Sequence, residues 1–124
     1  KVLEELKVTF PGEAESRLES LLEEYSLKET WELSPWLLSQ GQQRRLAFLT
    51  MTGDGKVLLL VDEPTYGQDM KNAIAIMNAL QQLCQEGVAC LFTCHDHRLV
   101  RQYAQKVMRI RHQTMEVETN EDEN

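Results

Sequence analysis

Asp62 and Glu63 stand side by side directly after the apolar run 57–61, and His95 directly follows a second such run, VACLFTC at 88–94. If the two runs are neighbouring strands, all three side chains leave the sheet at one edge. An aspartate there can hold a divalent cation, directly or through water. The adjacent glutamate, pointing to the other side of the strand end, can orient or deprotonate an attacking water. The imidazole can make a polar contact to a phosphate oxygen and so sense whether that group is present. Each also has a plainer reading: the acids as a polar loop after a strand, the histidine as a cap or surface residue.

A second group lies upstream. Residues 37–46 read LLSQGQQRRL, with a serine, a glycine and three amides ahead of two arginines at the mouth of a predicted helix. The free N–H groups and positive dipole end of a helix bind anions. Ser39, Gln40, Gly41 and Gln42 would allow close approach and add donors. An ordinary capped helix accounts for Ser39 but not for the whole string. Cys90, Cys94, His95 and His97 also admit a zinc reading, weakened because the cysteines share strand parity and no second ligand pair stands at a fixed spacing.

The elements that must position these groups follow from periodicity. After the turn Pro11-Gly12, residues Leu18, Leu21, Leu22 and Tyr25 form one apolar stripe on an acidic amphipathic helix. Ser39 caps a helix running to about Thr52, with Leu46 and Leu49 inward. Residues 57–61 show no polar alternation, which predicts a strand buried on both faces of a parallel sheet. A helix is predicted over 70–85, with Ile74, Met77 and Cys84 at helical spacing and Gly87 as its stop. Residues 88–94 form a second buried strand, 98–104 a short helix with Leu99, Val100 and Tyr103 inward, and 106–111 a third strand with 114–118 as a hairpin return. Strand, helix, strand, helix, strand means parallel crossovers. The expected division is a helical lobe over 1–52, an α/β lobe over 53–118 and a disordered acidic tail over 119–124.

Bulk properties limit the function. The 124 residues suffice for one core, and the net charge of −7 is uneven. Residues 1–33 carry nine Glu against four bases, 116–124 five acids and no base, while 34–115 has a net charge of +3. Phosphate chemistry therefore belongs in the middle, and the acidic balance argues against nucleic-acid binding by the whole surface. Three cysteines with no signal peptide read as reduced thiols. No apolar run approaches the roughly 18 residues that cross a bilayer, so a membrane role would come through a partner. A start at Lys1, with no Met, reads as a piece of something longer.

Four short stretches then meet one pattern. Leu38-Ser39-Gln40-Gly41-Gln42 resembles the signature motif of ATP-binding-cassette (ABC) ATPases, usually Leu-Ser-Gly-Gly-Gln. LLLVDEPT resembles their Walker B motif, Tyr66-Gly67-Gln68-Asp69 falls where the D-loop lies, and His95 where the switch histidine lies. Each alone is weak; together, in order and in register over 35–95, they are specific. The resemblance implies a P-loop NTPase-like α/β fold, here the C-terminal half of the ATPase domain, with ATP and Mg²⁺ as ligands of the parent protein. It implies that Ser39, Gln40, Gly41 and Gln42 contact nucleotide held by the opposite subunit of a head-to-tail dimer. Asp62 would support Mg²⁺, Glu63 would be the catalytic base, Asp69 would cross the dimer interface and His95 would be the switch. It implies two partners, a second ATPase subunit and a transmembrane transporter subunit, and a place on the inner face of the cell membrane. Gln40, where Gly is usual, and YGQD, where Ser-Ala-Leu-Asp is usual, are similar to energy-coupling-factor (ECF) importers of vitamins or metal ions.

No GxxxxGK[ST] occurs in the chain, so the chain alone is expected to bind ATP negligibly and to hydrolyse none. In the family the strand leading to that loop lies between the strand of His95 and the strand at 107–110. Without it, the last strand is expected to be displaced, or the chain to self-associate through bare strand edges. Two alternatives stay open. The end Cys94-His95-Asp96-His97-Arg98 is similar to soluble ABC ATPases of the translation-factor kind, although their Asn-His-Leu-Asp D-loop is not present. The chain could also be a non-catalytic docking module, against which the retained Asp62, Glu63 and His95 count.

Overall fold

The computed structural model describes residues 1–120. Helix α1 (Val2–Thr9), which the periodicity above does not single out, buries Val2 and Leu6 on one face. Helix α2 (Glu15–Glu24) buries Leu18 and Leu22, and Tyr25, next along the same stripe, packs its ring at 6.1 Å from Phe48. Two 3-10 turns, Lys28–Thr30 and Pro35–Leu37, lead to α3 (Gln40–Met51), which packs on α1 and buries Leu46, Phe48 and Leu49. The prolyl residue cannot supply an N–H, which suits it to the first position of the turn it opens.

The second half starts with strand β1 (Leu58–Asp62) and helix α4 (Met70–Gln85). Asp69 caps α4, its Oδ1 accepting from Asn72 N at 2.8 Å, and Gly87 ends the turn after it at φ 96°, where a Cβ would be strained. Strand β2 (Ala89–Thr93) returns parallel to β1, in register from Leu58 opposite Ala89 to Asp62 opposite Thr93. Helix α5 (His97–Tyr103) follows, then the antiparallel hairpin of β3 (Lys106–Arg111) and β4 (Thr114–Thr119). One apolar cluster, including Val2, Leu18, Leu49, Ile76, Leu80 and Leu99, runs through both the helical and the α/β parts.

Three expectations are corrected. The β1 run is not buried on both faces: Leu59 and Val61 enter the core, whereas Leu58 and Leu60 are exposed, Leu60 by 65 %. The physical reason is that this chain supplies cover for only one face of the β1–β2 pair. Strand β3 does not extend the parallel pair. It makes a separate two-stranded sheet with β4, parted from β2 by a cleft of about 460 Å³ lined by Cys84, Cys90, Phe92, Met108 and Val117. The parallel crossover expected for the third strand is thus not seen, whereas its displacement was the other expectation. On α4 the inward residues are Ile76, Met77 and Leu80, while Ile74 is exposed, because the helix turns a face one step away from the expected stripe. Thr119 ends β4, and the Asn120 side chain donates to Val100 O, Arg101 O and Ala104 O. The rest of the expected disordered tail, 121–124, lies outside the described residues.

Candidate active site

The parallel register brings the ends of β1 and β2 together, and the chemistry follows from that. Asp62 and Thr93 are paired residues. The Thr93 hydroxyl donates to Asp62 Oδ1 at 2.5 Å and accepts from the Glu63 backbone N–H at 2.9 Å. One side chain on β2 therefore orients the carboxylate of Asp62 and fixes the turn at Glu63. Glu63 sits at φ 47°, in the left-handed region that non-glycine residues rarely enter. Such strain persists where the surroundings hold it, and it concentrates at functional sites. The turn continues through Tyr66 N–H to Glu63 O, over the buried Pro64.

This geometry swings the Glu63 side chain towards His95. Oε1 of Glu63 is buried and lies 3.0 Å from His95 Nε2, which is not aligned to hydrogen-bond it. The imidazole is 95 % exposed and the glutamate 22 %. Glu63 Oε1 is thus a buried carboxylate oxygen without a hydrogen-bond partner, facing an exposed imidazole. Next to it Asp96 caps α5 through Arg98 N–H, and the Arg98 guanidinium holds the Asp96 carboxyl below the ordinary range.

The upstream group is at the surface, and its own geometry uses part of it. Ser39 Oγ accepts from Gln42 N–H at 3.2 Å and Gln42 Oε1 accepts from Ser39 N–H at 2.9 Å, a reciprocal capping box. Gln43 Nε2 donates to Pro35 O. Two of the amides are thus explained by the helix start itself. The N–H groups of Gln40 and Gly41 belong to the first turn, which has no intrahelical acceptors, and the Ser39 hydroxyl keeps a proton to donate. A Cβ at Gly41 would meet nothing nearer than Arg45 Nη1 at 3.5 Å, an ordinary contact. The chain's own packing does not require glycine there.

Between the two groups lies the loop 66–69. The Arg44 guanidinium stands 5.0 Å over the Tyr66 ring, and Arg45 Nη1 donates to Gln68 Oε1 at 2.7 Å. Thr93 and Arg45 are absent from the residues that the sequence singles out as active, and Gln68 enters there only as part of the D-loop resemblance. Thr93 could have been found from its pairing with Asp62; Arg45 and Gln68 meet over 23 residues and leave no periodic trace.

No group of three or more His, Cys, Asp or Glu side chains that could hold a metal ion occurs among the described residues. Asp62, exposed at the strand end with one oxygen held by Thr93, suits a cation that arrives with most of its ligands on a phosphate group, the habit of Mg²⁺.

The folded chain superposes on the ATP-binding subunit of an ABC transporter with a TM-score of 0.74, covering 98 % of this chain and 53 % of that one at 21 % identity. It superposes on MJ1267, an ATP-binding cassette of an ABC transporter, at 0.62 over 91 % and 46 % respectively, with 22 % identity. The fold is that of part of an ABC ATPase domain. Among curated sequences the chain is 39 % identical over 97 residues to the "Putative HMP/thiamine import ATP-binding protein YkoD" of Bacillus subtilis, 78 % of this chain and 18 % of the relative. It is 35 % identical over 107 residues to the lipoprotein-releasing system ATP-binding protein LolD 2 of Caulobacter vibrioides, 86 % and 46 %. It is 30 % identical over 95 residues to the energy-coupling factor transporter ATP-binding protein EcfA of Methanothermobacter thermautotrophicus, 77 % and 30 %. These relatives are ABC ATP-binding subunits, and the chain spans less than half the length of each. No protein-family model matches the chain. No helix among the described residues is long and apolar enough to cross a membrane.

Proposed function

We propose that this chain is the signature-to-switch portion of an ABC transporter ATPase subunit, and that it works in ATP hydrolysis only when joined to the portion carrying the phosphate loop. The observation that carries this reading is the pairing of Glu63 and His95 at 3.0 Å, beside Asp62, where β1 and β2 end together. In this role Glu63 takes the proton of a water directed at the terminal phosphate, a contribution of about 10²–10⁴-fold for a positioned general base. His95, 3.0 Å from the Glu63 carboxylate, reaches the same phosphate from its exposed side. Asp62, aligned by Thr93, supports Mg²⁺, which when bound neutralises charge on the phosphates. Ser39, Gln40, Gly41 and Gln42 offer N–H and hydroxyl donors to a nucleotide held by a second ATPase subunit, and Asp69 faces that subunit.

The ECF-type assignment, with uptake of a vitamin or metal ion, is supported by YGQD, by Gln40 and by the names of two relatives. A transmembrane subunit would then hold the complex at the inner face of the membrane. The uncovered faces carrying Leu58, Leu60 and Leu91, and Ile110, Met115 and Val117, are where the rest of the domain, or another copy of the chain, would pack.

The test has two arms. The purified chain is expected to show no steady-state ATPase activity above a Glu63→Gln control. Joined to a portion that supplies GxxxxGK[ST], it is expected to hydrolyse ATP, with Glu63→Gln lowering kcat at least about 100-fold while ATP still binds. Hydrolysis by the joined protein that is indifferent to Glu63→Gln refutes the assignment.

A further inference from the structure

Arg45 is 9 % exposed, and its guanidinium is shared between two elements that lie far apart in sequence. Its Nε donates to Tyr25 O, at the end of α2, at 2.7 Å, and its Nη1 donates to Gln68 Oε1 at 2.7 Å. The other end of the same amide is also occupied, with Gln68 Nε2 donating to Gly41 O in the first turn of α3 at 3.2 Å. Arg44, the preceding residue, lies over Tyr66. The loop 66–69 is therefore attached to the entrance of α3 at two places, and through Arg45 to the helical part of the chain. A leucine at 68 could satisfy neither the guanidinium nor the carbonyl.

We propose that Gln68 and Arg45 are positioning residues, which lock the loop 66–69 to the turn at Ser39–Gln42 so that the two move as one body. The geometry has the ingredients of a rigid link: a buried cation with a side-chain and a main-chain acceptor, and an amide using both its donor and its acceptor. The consequence for catalysis rests on the reading above. There, both elements face the second subunit, so the link would present Asp69 and the α3 entrance to it in fixed relation.

Amide hydrogen exchange on the 124-residue chain tests the link without nucleotide. The reporters are the hydrogen-bonded amides of Gln42 and Gln43 on one side and Asn72 on the other, with Ile76, deep in α4, as the reference. Gln68→Leu is expected to speed exchange at Gln42, Gln43 and Asn72 about tenfold and to leave Ile76 unchanged. Gln68→Glu keeps an acceptor for Arg45 and is expected to restore Asn72 while Gln42 and Gln43 stay fast. Unchanged exchange at Gln42 and Gln43 in Gln68→Leu overturns the proposal, and so does an equal rise at Ile76, which would mean a general loss of packing. Because no ATP enters this measurement, failure of the ATPase assay beside an intact exchange pattern refutes the function and not the link.

Discussion

At the scale of single residues, the positions that matter are those whose surroundings contradict their ordinary chemistry. Glu63 adopts a backbone conformation suited to glycine, and Arg45 keeps a charge where burial pulls its pKa below the usual value. Cys90 is another: burial, with Cys84 beside it, pushes its thiol up from 9.0 to about 11. Burial also carries the Tyr25 phenol well above its ordinary value of 10.0. In both cases the fold favours the neutral form, so the unfolded chain releases these protons first. Their contribution to stability is complete below about pH 9 and is lost as pH rises through the folded values. Thermal midpoints are expected to fall between pH 9 and 11, and Cys90→Ala is expected to flatten part of that fall. The placement of Asp62, Glu63 and His95 at one sheet edge was approachable from sequence because strand ends can be counted. That of Arg45, Gln68 and Thr93 depends on which turns meet in space, and no local spacing encodes that.

At the scale of elements, helices with two good punctuation marks read correctly. For α4, Asp69 and Gly87 are residues whose local hydrogen bonding and φ freedom begin and end a helix whatever surrounds it. Ser39 does the same for α3, with Gln42 completing the box. The strands read less well. An unbroken apolar run such as 57–61 reports that cover is wanted on both faces, not that this chain provides it. The hairpin had the weakest signal, because its turn places His112 and Gln113 at φ 49° and 65° without glycine or asparagine. The join between α1 and α3 depends on Gly53, where a Cβ would meet Thr9 O at 3.0 Å and Thr9 Cγ2 at 3.1 Å. Gly53→Ala requires Thr9 to give by a few tenths of an ångström. It is expected to cost about 1–3 kcal/mol in urea-unfolding free energy, with the slope unchanged.

At the scale of the molecule, the helical part and the β1–β2 pair share one core, but the β3–β4 hairpin stands apart from that sheet. Continuity of the core was foreseeable from apolar stripes; isolation of the hairpin followed only from noticing that a neighbouring strand was wanting. What fastens the hairpin is Asn120, whose one amide nitrogen reaches Val100 O, Arg101 O and Ala104 O and whose backbone N–H reaches Gln105 O. That makes the last described residue a latch. Replacing it by alanine should let the whole ribbon swing on the short stretch after α5. The tip at His112 and Gln113 should then be nicked sooner by a dilute protease while the melting temperature of the remainder hardly moves.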